Sequence, residues 1–462
     1  MSEQNVLDVR GKRALVYSMG IVGRDLARWL MANGAAVTMS DTRSDAGLAA
    51  AGAAAPDGVE RVVTGQALLD PEGFDLVAVS QSVLRYDPAL FRAREMDIPI
   101  TSQMRLFLQL CAGRVVGITG SSGKSTTAAL VGRIAAAAAV DHIVGGNIGE
   151  ALLGRLGEIT TETLVVLEIS HTQLQYTERS PSVAAITNIT PNHLDQFSWD
   201  EYVGLKRNIL AYQGREDTAV LNMDDHTSRA LIASTRSKLF PVSSRHEPER
   251  DGAWLGGQSI FVRQKGIARE VASRGQVRLR GEHNLANVVM ACGIAASAGL
   301  PDAAFGTAIS NFTGVAHRLE IAGRACGATW VNDSIATSPE RTMAGLRAFT
   351  EPVVLLLGGR DKQLPLDGLQ ALAHQRCRAV ICFGESGALF AEAMRPVVSD
   401  TRLVPTVEEA VAAASTVVRP GDIVLFAPAG TSFDAYPSFE VRGAAFRALV
   451  AGLPGYSAEV TP

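Results

Sequence analysis

The strongest chemical signal in the sequence is a glycine-rich segment at the start of an alanine-rich stretch. Residues 117–127 read GITGSSGKSTT and lie at the end of the apolar run RVVGIT. Glycines let the backbone curl so that successive N–H groups point at phosphate oxygens, and a helix N-terminus adds partial positive charge. The core pattern G-x-x-G-K-S-T predicts a nucleoside triphosphate site, although Ile118 stands where the longer motif has its first glycine. The alternative is a Gly/Ser-rich turn with an incidental lysine.

The side chains of this phosphate loop have expected roles. Lys124 is expected to reach the β- and γ-phosphates of the nucleotide, and the hydroxyl of Ser125 is expected to help hold Mg²⁺. The other candidate nucleotide contacts of the loop are Gly120, Ser121, Ser122, Gly123 and Thr126. A phosphate loop does not name a reaction, because kinases, switches, motors and ligases all use one.

Two downstream segments place polar residues after apolar runs. Glu168 follows LVVL, and His193 lies in ITNITPNHLD. A carboxylate at the C-terminal end of a parallel strand faces the crevice where ligands bind. Mg²⁺ prefers oxygen ligands, so Glu168 with phosphate oxygens is a plausible set, whereas a histidine ligand is less usual. The alternatives are a capping or ion-pair role for Glu168 and a capping role for His193.

Weaker candidates lie farther along the chain. Asn284 and Asn287 fall on one face of a helix, where they either grip a base or ribose or cap the helix. Arg318 is able to pair with a phosphate through two hydrogen bonds, and Asp333 follows a short strand-like run. Lys206 lies in a helical stretch, and its spacing alone indicates only a solvated surface residue.

The N-terminal region carries an imperfect dinucleotide fingerprint. The pattern is Ser18-x-Gly20-x-x-Gly23, with Asp41 after the next strand at about the distance of a ribose-binding acid. This pattern supports a nucleotide-shaped pocket. A nicotinamide dehydrogenase is an alternative that rests on this pattern alone.

The elements that must position these residues alternate between strands and helices. Strands are predicted at residues 13–17, 35–40 and 75–80, with a helix over residues 21–32. A second unit begins near Arg114, and residues 251–281 predict a small antiparallel excursion. Strands separated by helices predict parallel, covered sheets, so the fold class is α/β. We expect three domains, over residues 1–104, 105–313 and 314–462.

Length and composition are consistent with this organisation. The chain has 462 residues, which at roughly 150 residues per domain suggests about three domains. A formal net charge of −4 argues against a nucleic-acid-binding surface. No apolar run approaches the roughly 20 residues that span a bilayer, the N-terminus lacks the apolar core of a signal peptide, and the five cysteines are scattered. We therefore expect a cytoplasmic protein with reduced thiols and no membrane insertion.

Taken together and in order, the polar segments resemble those of the Mur ligase family over essentially the whole chain. The tail TSFDAYPSFEVRG resembles the glutamate-adding branch of that family. The matching segments are SMGIVG, SDTR, TGSSGKSTT, GGNIG, LEISHTQL, NITPNHLD, HNLANVVMA, FTGVAHRLE, VNDSIAT, LLGGRDK and APAGTSFDAYPSFEVRG.

The resemblance implies a fold and a reaction. It implies a Rossmann-like UDP-binding domain, a central ATPase domain with the phosphate loop, and a C-terminal Rossmann-like domain for an amino acid. ATP would phosphorylate the carboxylate of UDP-N-acetylmuramoyl-L-alanine in the presence of Mg²⁺, and the amine of D-glutamate would attack the acyl phosphate. We expect a monomer. The alternatives are the same scaffold adding L-glutamate or another amino acid, and a nucleotide-binding regulator without catalysis.

The resemblance also assigns roles to particular residues. It makes Lys124, His193 and Lys206 catalytic, with Ser125 and Glu168 at a first Mg²⁺, His193 at a second, and Lys206 carbamylated beside the second. The implied contacts to the UDP substrate are Ser18, Asp41, Thr42, Arg43, Asn147 and Ser170. Those to the adenine, ribose and phosphates of ATP are Asn284, Asn287, Arg318 and Asp333, and those to glutamate are Thr337, Lys362, Ser432, Phe433 and Phe439.

One departure from the family pattern concerns the amino-acid pocket. The family often has a lysine in D-S-K-A-T that helps to bind a glutamate carboxylate, and Ile335 occupies that place here. Isoleucine cannot pair with a carboxylate. Either Lys362 and Arg360 take the charge, or the pocket binds glutamate differently.

Overall fold

The strands of the protein form three sheets, each flanked by helices. The computed structural model describes residues 7–50, 52–147, 151–192, 194, 196–279, 281–362 and 364–458. Contacts divide the chain into two compact units, residues 1–312 and residues 313–462. The first two sheets belong to the first unit and the third sheet belongs to the second.

The first sheet is parallel throughout, with the strand order β3-β2-β1-β4-β5. Because the order reverses next to β1, the carboxyl ends of β1 and β4 flank a crevice suited to a ligand. The helix predicted over residues 21–32 is confirmed as α1, which buries Leu26, Ala27 and Leu30. The strands are β1 (Arg13–Tyr17), β2 (Ala36–Asp41), β3 (Arg61–Thr64), β4 (Leu76–Val79) and β5 (Ile100–Ser102), and the helices are α1 (Ile21–Ala32), α2 (Asp45–Ala50), α3 (Pro88–Glu95) and α4 (Gln103–Leu110).

The second sheet has the order β14-β13-β12-β11-β10-β9-β6-β8-β7. Its strands pair in parallel except for β12 with β13 and β13 with β14, so the predicted antiparallel excursion is confirmed. The strands are β6 (Arg114–Thr119), β7 (His142–Gly146), β8 (Leu164–Glu168), β9 (Val183–Ile186), β10 (Thr218–Asn222), β11 (Lys238–Ser243), β12 (Gly252–Gly256), β13 (Ser259–Gln264) and β14 (Ile267–Ser273). The helices are α5 (Lys124–Ala137), α6 (His171–Leu174), α7 (Trp199–Ala211), α8 (His226–Ala230), α9 (Glu282–Ser297) and α10 (Ala303–Ser310).

The central position of β6 determines where the site lies. This strand pairs with β8 on one side and β9 on the other. The segments that follow the carboxyl ends of these three strands are therefore neighbours at one edge of the sheet. They are the phosphate loop after β6, Glu168 at the end of β8 and the segment from Thr187 after β9.

The third sheet has the order β15-β16-β20-β17-β18-β19. All its pairs are parallel except β15 with β16, and its three central strands, β20, β17 and β18, are almost wholly buried. The strands are β15 (Glu320–Ala325), β16 (Ala328–Asn332), β17 (Val353–Gly358), β18 (Cys377–Phe383), β19 (Thr401–Leu403) and β20 (Ile423–Ala429), and the helices are α11 (Pro339–Arg347), α12 (Asp367–Arg376), α13 (Gly387–Met394), α14 (Val407–Val417) and α15 (Phe439–Ala451).

Candidate functional site

The phosphate loop is tightly packed at its two conformationally demanding glycines. Gly120 has a φ of 155°, and a Cβ there would lie 1.9 Å from the Oγ1 of Thr187. Gly123 has a φ of 81°, and a Cβ there would lie 2.2 Å from the Oδ1 of Asn287. Both positions therefore require glycine. Since Gly123 precedes α5 and carries no capping side chain, the positive end of the helix dipole suits an anionic ligand.

Lys124 begins α5 and curls back over the loop. Its Nζ donates hydrogen bonds to the carbonyl oxygen of Gly120 at 2.8 Å and to that of Ser121 at 3.2 Å. The ammonium group is thus placed beside the loop backbone, as the sequence motif predicts for a lysine that contacts phosphates.

A buried cluster joins the loop to the neighbouring strand. The Oγ of Ser125 donates to the Oε2 of Glu168 at 2.6 Å, and the Nδ2 of Asn147 donates to the Oε1 of Glu168 at 2.9 Å. Glu168 is only 2% exposed. The structure therefore brings together the two residues predicted as ligands of a first Mg²⁺, and it adds Asn147, which was predicted as a substrate contact.

The donor set of this cluster fits Mg²⁺. A hydroxyl and a carboxylate are hard oxygen donors, and Mg²⁺ keeps several waters and uses phosphate oxygens to complete its coordination. Within the described part of the chain, no group of three or more His, Cys, Asp or Glu side chains is able to hold a metal on its own. His193, the predicted ligand of a second Mg²⁺, lies outside the described residues.

Lys206 lies beneath the phosphate loop. It is 1% exposed, its Nζ donates to the carbonyl oxygen of Gly120 at 2.8 Å, and the ammonium lies 4.7 Å from the centre of the Tyr202 ring. Burial, followed by the nearby charge of Lys124, lowers the pKa of Lys206 to about 6, although Glu168 opposes the shift. The side chain is thus predominantly an uncharged amine at neutral pH.

The segment after β9 and helix α7 support the loop, through side chains that include Thr187 and Tyr202, which sequence reasoning did not assign to the site. The Oγ1 of Thr187 donates to the carbonyl oxygen of Ser122 at 2.7 Å. The N–H of Ser122 donates to the Oδ1 of Asn188 at 3.0 Å. The hydroxyl groups of Ser121 and Tyr202 are 3.1 Å apart. The spacing of Tyr202 and Lys206 on one face of α7 was the available signal for Tyr202.

The two asparagines at the start of α9 also reach this region. The Nδ2 of Asn287 donates to the Oδ1 of Asn284 at 3.3 Å, and the Oδ1 of Asn287 lies against Gly123. The structure therefore places Asn287 beside the phosphate loop, with Asn284 next to it. Their predicted contacts to adenine and ribose stay predictions.

A second polar group occupies the edge of the first sheet. The Oδ1 of Asp41 accepts hydrogen bonds from the N–H of Arg43 and its Nε, both at 2.9 Å, and the Oδ2 accepts from the N–H of Met19 and the Nη2 of Arg43, both at 2.7 Å. Burial alone would raise the pKa of Asp41, but these donors outweigh it and lower the pKa. Four bonds fill the acceptor capacity of a carboxylate, so Asp41 serves to hold Arg43 rather than to bind a ribose. This argues against the dehydrogenase alternative.

Three other residues predicted to contact the UDP substrate are Ser18, Thr42 and Ser170. Ser18 follows β1 with a φ of 82°, and a Cβ on Gly23 would lie 1.8 Å from its carbonyl oxygen. Thr42 is exposed beside Asp41. Ser170 is the N-cap of α6, where its Oγ accepts from the N–H of Gln173 at 3.2 Å. A substrate contact for Ser170 stays a prediction.

In the second unit, Asp333 is a buried carboxylate after β16. Its Oδ1 accepts from the N–H of Leu319 at 3.1 Å. Burial raises the pKa of Asp333 to about 6, although the Leu319 hydrogen bond and the positive charges of Arg318 and Arg341 act in the opposite direction. Arg318, the other predicted nucleotide contact of this unit, is therefore electrostatically coupled to Asp333.

The predicted glutamate contacts are distributed over three loops of the second unit. The Nζ of Lys362 donates to the Oγ1 of Thr337 at 3.2 Å, so the structure brings these two together. Ser432 is buried, Phe433 is 46% exposed, and Phe439 begins α15. The loops after β17 and β20 are joined by reciprocal backbone hydrogen bonds between Arg360 and Thr431.

Arg442 is a residue of this region that sequence reasoning missed. Its side chain is 1% exposed. Its guanidinium donates to the hydroxyl and carbonyl oxygens of Ser334 and to the carbonyl oxygens of Gly430 and Thr431 at 2.9–3.2 Å. Burial lowers the pKa of Arg442 to about 10. The arginine thus fixes the loops that carry the predicted glutamate contacts, and its place within the segment SFEVRG was the only signal in the sequence.

In the described part of the chain, no helix is long and apolar enough to cross a lipid bilayer.

Comparison with known proteins assigns both units to families. The profile of the Mur ligase middle domain matches residues 118–295, and that of the Mur ligase glutamate ligase domain matches residues 317–430. The chain is 38% identical over 447 residues to the UDP-N-acetylmuramoylalanine–D-glutamate ligase of Symbiobacterium thermophilum. That alignment covers 96% of this chain and 98% of the relative. It is 36% identical over 454 residues to the protein of the same name from Clostridium novyi, again covering 96% of this chain and 98% of the relative.

Solved structures show the same fold at lower sequence identity. The UDP-N-acetylmuramate–alanine ligase MurC of Thermotoga maritima aligns with a TM-score of 0.54 at 18% identity, covering 94% of this chain and 98% of that one. MurF of Acinetobacter baumannii gives a TM-score of 0.54 at 17% identity, covering 96% and 92%. The MurF ligase of Thermotoga maritima, solved in complex with ADP, gives a TM-score of 0.52 at 16% identity and covers 96% of each chain.

Proposed function

The chain belongs to the Mur ligase family, and on that premise we propose that it joins D-glutamate to UDP-N-acetylmuramoyl-L-alanine at the expense of ATP. The reaction forms an amide and releases ADP and phosphate, and it serves peptidoglycan precursor synthesis. The observation that carries the proposal is the similarity, over nearly the whole chain, to relatives that bear the name of this activity. We propose that the enzyme acts in the cytoplasm, where its nucleotide substrates are found, and as a monomer.

The first step is phosphoryl transfer from ATP to the substrate carboxylate. A carboxylate is a poor electrophile until it carries a good leaving group, and two anions must approach each other to form the acyl phosphate. Lys124 screens this repulsion from its position beside the loop carbonyls. Ser125 and Glu168 would hold Mg²⁺, which supplies further charge neutralisation on the phosphates when bound.

Lys206 contributes to the same step in a modified form. Its lowered pKa leaves an uncharged amine in a buried position, which is the form that adds to carbon dioxide. The nitrogen attacks the carbon of CO₂, one proton is lost, and the product is a carbamate with two oxygens. The carbamate would replace the amine nitrogen with oxygen donors for a second Mg²⁺, for which His193 is the other proposed ligand.

The second step is attack of the glutamate amine on the acyl carbon, followed by loss of phosphate. Water must be excluded because it would hydrolyse the acyl phosphate. Lys362 and Thr337 are hydrogen-bonded to each other and are proposed to bind glutamate, together with Ser432, Phe433 and Phe439. Asn284, Asn287, Arg318 and Asp333 are the proposed contacts to the adenine, ribose and phosphates of ATP.

The proposed division of labour follows three domains, over residues 1–104, 105–313 and 314–462. The first binds the UDP moiety at the edge of its parallel sheet, with Arg43 held by Asp41. Ser18 and Thr42 contact the same moiety, and Asn147 and Ser170 contact the sugar and its alanine arm. The central domain binds ATP, and the last binds the amino acid.

An omission assay tests this function. The purified chain is incubated with ATP, Mg²⁺, UDP-N-acetylmuramoyl-L-alanine and one amino acid from a panel that includes D- and L-glutamate. We expect the dipeptide product and stoichiometric ADP only when every component is present and the amino acid is D-glutamate. Turnover of ATP that ignores both other substrates would overturn the proposal, and product formed only with L-glutamate would reassign its stereochemistry.

A further inference from the structure

The amino-acid pocket proposed for the second unit has to bind two carboxylates. Glutamate carries two carboxylates, and each loses its hydration on entering a site, so each is bound best by a charge-assisted hydrogen bond. Lys362 provides one cation at the loop after β17. Among the described residues, no carboxylate lies within ion-pair distance of its Nζ. A second cation near Lys362 would bind the other carboxylate.

Arg360, which the sequence suggests for this purpose, is already paired. Its Nε donates to both carboxylate oxygens of Glu385 at 3.1 Å, and its Nη2 donates to the Oε2 at 3.0 Å. A guanidinium that grips a carboxylate through two nitrogens has satisfied the geometry in which it binds such groups most strongly. Arg360 would have to abandon Glu385 before it could bind glutamate.

Arg341 lies next to Ile335, the position where the family pattern often has a lysine. It belongs to the first turn of α11, and its Nη1 donates to the carbonyl oxygen of Ile335 at 3.1 Å. The N–H of Thr337 donates to the same oxygen at 2.8 Å. The side chain of Thr337 in turn accepts from Lys362. Arg341 and Lys362 are therefore anchored on the same three-residue turn, residues 335–337.

The electrostatic environment supports an anion at this turn. Partial desolvation and the charges of Arg341 and Arg442 lower the pKa of Lys362, so the three cations act on one another. The positive charge of Arg341 also acts to lower the pKa of Asp333, against the larger effect of burial. Two cations that share one short turn repel each other, and an anion between them relieves that repulsion.

We propose that Arg341 binds one carboxylate of the incoming glutamate while Lys362 binds the other. This inference rests on the proposed function and specifies how its amino-acid pocket works in a chain that has Ile335 at the turn. Arg341 belongs to α11, whereas the lysine of the family pattern would stand on the turn itself, at residue 335. The guanidinium of Arg341 offers several N–H donors in a rigid plane, which suits the binding of a carboxylate.

Steady-state kinetics of three variants test the proposal. Arg341→Ala removes the cation, Arg341→Lys retains a charge without the planar fork, and Arg347→Ala is a matched control at an exposed position in the last turn of the same helix. We expect Arg341→Ala to raise the KM for glutamate about 10- to 100-fold while the KM values for ATP and the UDP substrate change less than about threefold. Arg341→Lys should fall between the alanine variant and the native chain, and Arg347→Ala should match the native chain.

Glutamate analogues identify the carboxylate concerned. Glutamine lacks the side-chain carboxylate, and glutamate 1-amide lacks the α-carboxylate. The native chain should discriminate against both, and Arg341→Ala should lose discrimination against only one of them. An unchanged KM for glutamate in Arg341→Ala, or an equal rise in all three KM values, would overturn the role of Arg341. Failure of the native chain to use glutamate at all would instead overturn the proposed function, and the assignment with it.

Discussion

At the scale of single residues, the proposed phosphoryl transfer depends on the positive charge of Lys124. Its Nζ contacts the carbonyl oxygens of Gly120 and Ser121, at the positive end of α5. Lys124→Ala is expected to lower the rate of ligation by about 10³-fold, because a preorganised positive group that stabilises developing charge contributes an effect of that size. The measurement is the rate of product formation at saturating substrates.

A control on the same helix separates this effect from misfolding. Arg133 is exposed on α5 beyond the loop. Arg133→Ala should retain native activity, and both variants should melt at the temperature of the native chain. Near-native turnover by Lys124→Ala would mean that the phosphate assignment is wrong.

Asp333 gives a prediction about pH. Its pKa is raised from 3.8 to about 6 by burial, so the folded state holds this proton more tightly than the unfolded state. The contribution of the protonated carboxyl to stability is fully present below about pH 4 and is lost as the pH rises through about 6. Asp333→Asn has no proton to lose. It should therefore match the native chain at pH 4 and exceed it in unfolding free energy by up to about 3 kcal/mol at pH 8.

Thermal unfolding at a series of pH values measures this difference. Asp367→Asn, at an exposed position at the start of α12, controls for the substitution itself. A stability difference between Asp333→Asn and the native chain that stays constant from pH 4 to pH 8 would contradict the burial argument.

The sequence predicts which residues meet at the site where a motif also determines their place in the fold. The pairing of Ser125 with Glu168 follows from their positions after two adjacent parallel strands. The state of Lys206 does not follow from its spacing, because burial and the neighbouring Lys124 determine its pKa. Arg341 was missed for a similar reason, since its relation to Lys362 depends on the path of the turn between them.

At the scale of elements, Asp25 connects two helices beside the first sheet to a 3₁₀ helix between β7 and β8 in the chain. It lies on α1 beside the first sheet and is 4% exposed. Its carboxylate accepts from the Nε2 of Gln103 at 2.5 Å, the N–H of Leu153 at 2.9 Å and the N–H of Gly154 at 3.2 Å. Leu153 and Gly154 begin a 3₁₀ helix, Leu153–Glu158, which follows β7 and precedes β8 in the chain and packs against α1 and α4.

Removing this connection should destabilise the first unit. Asp25→Ala leaves three donors without their acceptor, and we expect a loss of about 2–4 kcal/mol in unfolding free energy. Asp25→Asn keeps one acceptor oxygen and should lose less. Urea denaturation measures both variants against Asp57→Ala, an exposed control expected to change stability by less than about 0.5 kcal/mol. An Asp25→Ala chain as stable as the control would show that these three hydrogen bonds do not stabilise the first unit.

Periodicity predicted the strongly patterned elements and missed the weak ones. The helix at residues 21–32 and the buried strands β1, β6 and β17 have continuous apolar patterns, so their bounds follow closely. Strand β3 is short and partly exposed, and β5 has three residues. Such strands depend on pairing with a neighbour, and pairing is a property of the folded sheet that a local pattern does not contain.

At the scale of the whole molecule, mean charge and local charge give different information. A net charge of −4 argues against a nucleic-acid surface, yet every proposed ligand is anionic. Each proposed ligand site has at least one positive group: Arg43, held by Asp41, in the first sheet, Lys124 at the loop, and Arg318, Arg341 and Lys362 in the second unit. The carboxylates of Asp41 and Glu385 determine which arginines are already paired.

The most direct test of the central claim follows the fate of one oxygen atom. UDP-N-acetylmuramoyl-L-alanine is labelled with ¹⁸O in both carboxylate oxygens and is ligated to D-glutamate with unlabelled ATP. If the carboxylate attacks the γ-phosphorus and phosphate later leaves the acyl carbon, one labelled oxygen departs with each phosphate. Mass spectrometry should therefore find one ¹⁸O per phosphate released and one in the amide product. Unlabelled phosphate alongside the amide product would contradict the acyl-phosphate mechanism, and absence of the product would contradict the proposed ligation itself.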